Sequence, residues 1–275
     1  MATCGRSSND PGGADAPSRG PARWTGRTFI AVGRALYLGP SFDTAPHAHH
    51  AIQICVGLDG GFRLRPDGSA PWSNFEGAIV PSDCGHQLDG RGADLLLVYL
   101  EPETPAGRRA RFLEGEPRIR SLAPDRVEAL RRAARSARSA KLDADGAERL
   151  HDALLEQAGF AGDAATAFDE RIAEAVRRLQ QEGRTRGPLA ALARSVGLSP
   201  SRFRHLFFEQ MGISCRRYVL WLRLLDAIEA ASCGASATEA ALEAGFSDAA
   251  HLTRTFRRMF GIPPSAVFRS ISSMG

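Results

Sequence analysis

The chain has 275 residues, with 35 Lys or Arg against 31 Asp or Glu and five cysteines, long enough for two domains with cores of their own. No apolar run reaches bilayer-spanning length, and the cysteines show no CxxC or paired spacing, which argues against a disulfide framework or a zinc finger. From Phe168 onward 15 Arg stand against 10 acidic residues while the preceding part is close to neutral, so a surface for a polyanion is expected in the carboxy-terminal part.

Residues 1–26 are rich in Gly, Pro, Ser and Asp, the composition of a disordered tail. They lack the apolar core of a signal peptide, which predicts a soluble intracellular protein. From Arg27 to residue 121 the pattern is one of short strands and Gly-rich turns. Candidate strands are Thr28–Leu38, Ala51–Gly57, Phe62–Arg65, Gly77–Val80 and Asp94–Leu100, a spacing that suits a small β-sandwich or barrel.

Two stretches here, PHAHHAIQICVGLDGGFRL (46–64) and GAIVPSDCGH (77–86), resemble the half-motifs of a cupin barrel. Metal-binding cupins use His-x-His, an acidic residue and a later His, which by position implies His47, His49, Gln53 and His86. Strand parity puts His47, His49, Gln53 and Cys55 on one face, with Cys84 and His86 able to point into the same cavity. Imidazole with thiolate would suit Zn or a similar divalent transition metal. Gln53, however, replaces the carboxylate. The alternatives are a small organic effector in the barrel, or an empty barrel with the histidines as a polar strand entry at its mouth.

Residues 122–160 read as two amphipathic helices. Pro124 opens one with Val127, Leu130 and Ala134 inward; Asp143 or Asp145 opens the next with Leu150, Leu154 and Leu155 inward. They would make a subunit contact or cover the barrel. Residues 161–167 (AGDAATA) read as a linker, and residues 168–275 as a helical domain whose first helix runs Asp169–Glu182.

That domain repeats itself. Leu189–Ile213 and Ala237–Ile262 align through Gly197 with Gly245, Ser199 with Ser247, Phe207 with Phe256 and Gly212-Ile213 with Gly261-Ile262, with one extra residue in the second copy. Each copy is a short Ala-rich helix, a glycine for the left-handed C-cap, a serine N-cap and a second helix; Pro200 sits at N1 of the first. This is the order of a helix-turn-helix. Phe203, Leu206 and Phe207, and again Leu252, Thr255 and Phe256, form inward stripes. Ser201, Arg204, His205 and Phe208 occupy the opposite face of one copy; Ala250, His251, Arg254, Arg257 and Arg258 occupy that of the other.

GLSPSRFRHLF (197–207) and GFSDAAHLTRTFRRMFGIPPSAVFR (245–269) resemble the DNA-binding domain of AraC-type transcription regulators. The resemblance implies two helix-turn-helix units joined by a long helix, here Ser214–Ser232, with recognition helices in successive major grooves of an operator or promoter. By position, Ser201, Arg204 and His205, then Ala250, His251 and Arg254, become the base-reading residues, with Thr253 and Arg257 nearer the backbone and Arg202 a further DNA-binding residue. Arg254 is the best candidate for bidentate guanine readout. Arg216 and Arg217 would lie near the phosphate path, and Phe208, where a polar residue is usual, would pack on the long helix.

The resulting expectation is an α+β protein: a cupin-like sensor domain followed by a double helix-turn-helix. It would be a homodimeric, cytoplasmic, nucleoid-associated regulator that meets RNA polymerase if it activates, with neither enzymatic activity nor a membrane partner. The competing readings are a metal-dependent cupin enzyme with an appended helical domain and a constitutive DNA-binding protein with an empty barrel.

Overall fold

Every residue of β3 (Ile52–Gly57) is buried, as are runs of four consecutive residues in β2 (Arg34–Pro40) and β8 (Asp94–Leu100), which requires cover on both faces of the sheet they share. The computed structural model describes residues 26–271 apart from 32, 115–117, 140–143, 161–167 and 183–186. The expected tail up to residue 25 and the expected linker 161–167 lie outside the described residues.

Parity sorts the two faces. Leu36, Leu38, Ile52, Ile54, Val56, Leu96 and Val98 belong to one apolar cluster, while Tyr37, Cys55, Leu95 and Leu97 belong to another. The strands form an antiparallel sheet in the order β1-β2-β8-β3-β6-β9, with β1 at Arg27–Ala31, β6 at Gly77–Val80 and β9 at Arg120–Ser121. A second sheet, β5 (Ser73–Phe75), β4 (Phe62–Arg65) and β7 (Gln87–Asp89), puts Phe62, Leu64 and Leu88 into the inner cluster. The β-layer is thus a pair of sheets rather than one closed ring.

The expected strand Thr28–Leu38 is a hairpin, paired from Arg27↔Leu38 to Ala31↔Arg34. Gly33, at φ +79°, supplies the left-handed turn residue that an uninterrupted strand has no use for. Strands β5, β7 and β9, of two or three residues each, were not foreseen, nor was α1 (Pro105–Glu114). Helices α2 (Pro124–Ser139) and α3 (Ala144–Ala158) lay Val127, Leu130, Ala134, Leu154 and Leu155 on the outer sheet face. Each such Leu contributes about 1.5–3 kcal/mol of burial, so the predicted stripes are spent on covering the sheet.

The remaining helices are α4 (Glu170–Glu182), α5 (Leu189–Ser195), α6 (Pro200–Met211), α7 (Cys215–Ser232), α8 (Ala237–Glu243), α9 (Ala249–Phe260) and α10 (Pro264–Ile271). The long helix α7 buries Tyr218, Trp221, Leu222, Leu224, Ala227 and Ile228 and contacts α6, α8 and α10. Its core is continuous with the inner sheet face, so one apolar cluster runs through both halves of the chain. Among the described residues no helix is long and apolar enough to cross a membrane.

Phe256 is fully buried, with ring centroids 4.6 Å from Phe260 and 6.0 Å from Phe268. Phe256→Ala is expected to lower unfolding free energy by about 3–5 kcal/mol, whereas Arg257→Ala, on the exposed side of the same helix, should stay within about 0.5 kcal/mol. Denaturant titration compares them, and equal midpoints for the two variants would contradict this packing.

Candidate nucleic-acid interface

Each helical repeat turns on a glycine that leaves the right-handed region. Gly197 (φ +72°) follows α5 and Gly245 (φ +78°) follows α8. In both, the next amide reaches back into the finished helix: Leu198 N to Ala193 O and Phe246 N to Ala241 O, each 2.9 Å, satisfying carbonyls the helix end leaves open. Ser199 then caps α6 by accepting from Arg202 N, with Pro200 at the first helical position. The second copy differs from expectation. Asp248, not Ser247, is the N-cap of α9 and accepts from His251 N at 2.6 Å. The extra residue is therefore absorbed in the turn, and Ser247 moves to a supporting place beside the Asp248 carboxylate and the His251 ring. The amide of His251, followed by the Ser247 hydroxyl and Arg254, holds the Asp248 carboxyl below its ordinary range.

Helices α6 and α9 each bury one side and expose the other. Phe203, Leu206 and Phe207 of α6, and Leu252, Thr255, Phe256 and Met259 of α9, face inward. Ser201, Arg202, Arg204 and His205 are exposed, as are Ala250, Arg254, Arg257 and Arg258, while His251 and Thr253 are half-buried. Thr253 donates its hydroxyl to Ala249 O at 2.8 Å, and the His251 ring stands edge-on to Phe246 at 5.2 Å. Phe208 does not pack on the long helix. It is 59% exposed, an apolar side chain presented on the same face as Arg204 and His205.

Arg217 also departs from expectation. It pairs with Asp83 at 2.6 Å and reaches Ala48 O at 3.5 Å, so its charge is committed to the β-domain rather than left for a phosphate; Arg216 remains exposed. Around this pair lies a polar seam that the sequence analysis missed. Trp221 Nε1 donates to Glu101 Oε1 at 2.7 Å, and His50 Nε2 lies 2.9 Å from Glu103 Oε2. Burial alone would lower the His50 pKa, but the Glu103 carboxylate, helped by Asp83 and Glu101, raises it to about 9. Burial and the neighbouring Glu103 hold Glu101 above the carboxylate range. The signal in the sequence was an apolar strand, DLLLVYL, running into Glu101 and Glu103.

Next to the seam, Thr28, Ile30, Leu36, Tyr99, Trp221, Leu225, Ile228 and Phe260 line an apolar cavity of about 60 Å³ between the sheet and the helices. The four residues named as metal candidates do come together. His47, His49 and His86 each place a ring nitrogen within 4.8 Å of the other two, and Gln53 Oε1 is 2.8 Å from His49 Nε2. Burial keeps all three rings neutral: His47 falls to about 3, with His49 and His86 also lowered. Cys55 does not join them as a thiolate. Its thiol is pushed up to about 12 by burial and accepts from Gln53 Nε2 at 2.9 Å.

Comparison with known proteins bears on the reading helices. The helix-turn-helix domain family matches residues 192–270. The virulence regulon transcriptional activator VirF of Yersinia enterocolitica is 34% identical over 97 residues, which is 34% of this chain and 36% of VirF. The HTH-type transcriptional regulator ExsA of Pseudomonas aeruginosa is 33% identical over 78 residues, 28% of each chain. The chain thus spans about a third of the length of the curated relatives it matches. Similarity of fold extends further: apo ToxT K231A of Vibrio cholerae superposes with a TM-score of 0.60 over 87% of this chain and 98% of its own, at 11% identity. Wild-type ToxT with an unsaturated fatty acid bound gives 0.58 over 88% and 97%, at 10% identity. Residues 192–270 are thus similar to the helix-turn-helix domain family and to the matching third of transcription regulators such as VirF, and the likeness to ToxT shows that the fold is shared over most of the chain.

Proposed function

We propose that the chain is a sequence-specific transcription regulator whose helices α6 and α9 enter successive major grooves of one duplex. The observation that carries this reading is the sorting of side chains on those helices: the aromatic stripe is buried, and Ser201, Arg202, Arg204, His205, Ala250, Arg254 and Arg257 stand at exposed positions. Arg254 is assigned bidentate guanine readout and Ala250 at most a thymine methyl contact. His251 and Thr253, tied to their own turn and helix, are assigned positioning contacts.

Residues 27–121 are assigned the sensing role, 122–160 the cover and subunit contact of a homodimer, and 168–275 the reading role. The protein acts in the cytoplasm on operator or promoter DNA, reaches RNA polymerase where it activates, and is not an enzyme. VirF is named an activator, which favours activation here.

Control is assigned to the seam between the β-domain and α7. The cavity beside it is apolar, and ToxT has been solved with an unsaturated fatty acid bound, so an amphiphile with an apolar chain is the class of effector proposed. At about 60 Å³ the space holds about two water molecules. A longer chain enters only if Leu225 and Phe260 withdraw from the sheet, so such an effector prefers the opened arrangement and shifts its population.

Two outcomes are expected. Arg254→Ala should cost about 1–3 kcal/mol on a site selected from random duplexes and change affinity for random DNA far less; fluorescence anisotropy on both probes measures this, and an equal loss on each would contradict base readout. A cis-unsaturated fatty acid, titrated below its micelle concentration, should give a saturable change in Trp221 emission that Ile228→Phe abolishes by filling the cavity. No change in the wild-type chain would remove the cavity from this account.

A further inference from the structure

The three histidines meet through backbone pairing. His47 and His86 exchange N–H···O bonds of 2.9 and 2.8 Å, bringing the segment before β3 against the turn before β7. Ring centroids lie 4.0 Å apart for His47–His86, 5.0 Å for His49–His86 and 5.6 Å for His47–His49. Every Nδ1 faces a carbonyl oxygen: Ala45 O at 2.9 Å from His47, Ala51 O at 2.8 Å from His49 and Cys84 O at 2.9 Å from His86. A carbonyl only accepts, so Nδ1 carries the proton in each neutral ring and Nε2 keeps its lone pair. Backbone carbonyls that fix the tautomer in this way are the usual support of metal-bound imidazoles.

One of the Nε2 atoms then presents a problem that no described protein atom solves. His86 Nε2 is buried and has no hydrogen-bond partner among the described residues, an arrangement native interiors seldom tolerate. His49 Nε2 lies 2.8 Å from the Gln53 side-chain amide, which can donate its NH2 to that lone pair or, turned the other way, offer its oxygen beside it as a further ligand. Ligands about 2.1 Å from a tetrahedral ion stand about 3.4 Å apart, so the Gln53 oxygen and His49 Nε2 need only a small separation to hold one ion between them.

The cluster also touches the second reading helix. Gly261, the left-handed C-cap of α9, accepts from Ala45 N at 2.9 Å. A Cβ on Gly261 would come within 2.7 Å of His47 Nδ1 and 2.5 Å of Ala45 O, so this glycine lets the helix end sit directly on the histidine segment. The Phe260 ring lies 6.4 Å from that of His49. A cleft of about 510 Å³, lined in part by Pro46, His47, His86, Arg217 and Arg258, gives access from solvent.

We propose that His47, His49 and His86, with the Gln53 carbonyl oxygen as fourth donor, bind one late first-row divalent cation of the zinc class, and that the bound ion steadies the segment on which the carboxy-terminal end of α9 rests. Neutral imidazoles suit Zn, Cu, Ni or Fe, and the poverty of carboxylate among the ligands disfavours Mg and Ca.

The test uses full-length, tag-free protein stripped with a chelator and titrated with Co2+, read by its visible ligand-field absorption, then with Zn2+ in competition. One equivalent per chain is expected, with Zn2+ raising the melting temperature. His86→Ala should weaken Zn2+ affinity by about 100-fold or more, beyond the roughly 10–100-fold of an outer-shell change. His47→Gln, at a partly exposed position, repeats the test if His86→Ala fails to fold, and Cys233→Ser, at an exposed cysteine, should leave binding unchanged. Absence of Co2+ absorption, or binding that survives the histidine variants and is lost with Cys233→Ser, would overturn the site. Amide exchange at Ala45 and along the last turn of α9 should slow on Zn2+ addition; exchange unaltered by a saturating ion would overturn the coupling. Neither readout involves DNA, so failure here is separable from failure of the regulatory assignment.

Discussion

Helix α7 is buried by partners from both halves of the chain, and this double burial is the constraint on which the rest depends. Tyr218, Trp221, Leu222, Leu224, Ala227 and Ile228 are all withdrawn from solvent, yet the residues that cover them come from both helix-turn-helix units and from the β-domain. Trp221 makes the sharing plain: its ring stacks obliquely 5.6 Å from Phe260 while its N–H is given to Glu101. A helix that serves three neighbours cannot shift against one without disturbing the others, because close-packed interiors transmit displacement rather than absorb it. The spacing of the two reading helices and the seating of the β-domain are therefore aspects of one packing problem.

Apolar contact alone would hold these parts together without choosing an orientation, since it has no direction. The polar groups at the seam supply one. Asp83 sits at φ +56°, an uncommon conformation for a side chain other than glycine, and from there its carboxylate meets Arg217 of α7 and lies 3.8 Å from His50 Nδ1. Glu103 balances the charge that His50 carries. Each of these groups is costly to bury without its partner, so arrangements of the two halves that separate the pairs are penalised, whatever apolar area they cover. The seam selects one docking geometry more than it adds to cohesion.

What could be read in advance follows the range of the interactions concerned. The glycine turns, the Ser199 cap, Pro200 and the alternation of Phe203 and Phe207 with Arg204 and His205 are local, and a local pattern needs only a few neighbouring residues to be recognised. Strand parity likewise placed Gln53 and Cys55 on one face. The hairpin at Gly33 was missed because residues 28–38 are apolar enough to pass as one strand, and a single glycine is weak evidence for a turn. The Asp248 cap was misplaced by one residue because Ser247 and Asp248 are both good caps, and only the backbone path decides between them. Phe208 and Arg217 were misjudged for a different reason: each depends on a contact, or the lack of one, with residues far away in sequence. The meeting of Trp221 with Glu101, 120 positions apart, left no mark in either segment.

The energy scale of the seam bears on whether it can act as a switch. Among the described residues its directed contacts across the two halves include Trp221 to Glu101, Arg217 to Asp83 and Ala48 O, Arg111 to Gln210 O and Ala45 N to Gly261 O. Neutral hydrogen bonds contribute about 0.5–1.5 kcal/mol net and those to charged groups about 1.5–3, so the set amounts to on the order of 5–10 kcal/mol before solvent screens the exposed Arg217 pair. A ligand needs about 5.5 kcal/mol of differential affinity to carry a two-state equilibrium from one extreme to the other. The two quantities are comparable. A seam much stronger than this would freeze the two halves in one arrangement, and a much weaker one would leave α6 and α9 without a fixed seat against the β-domain.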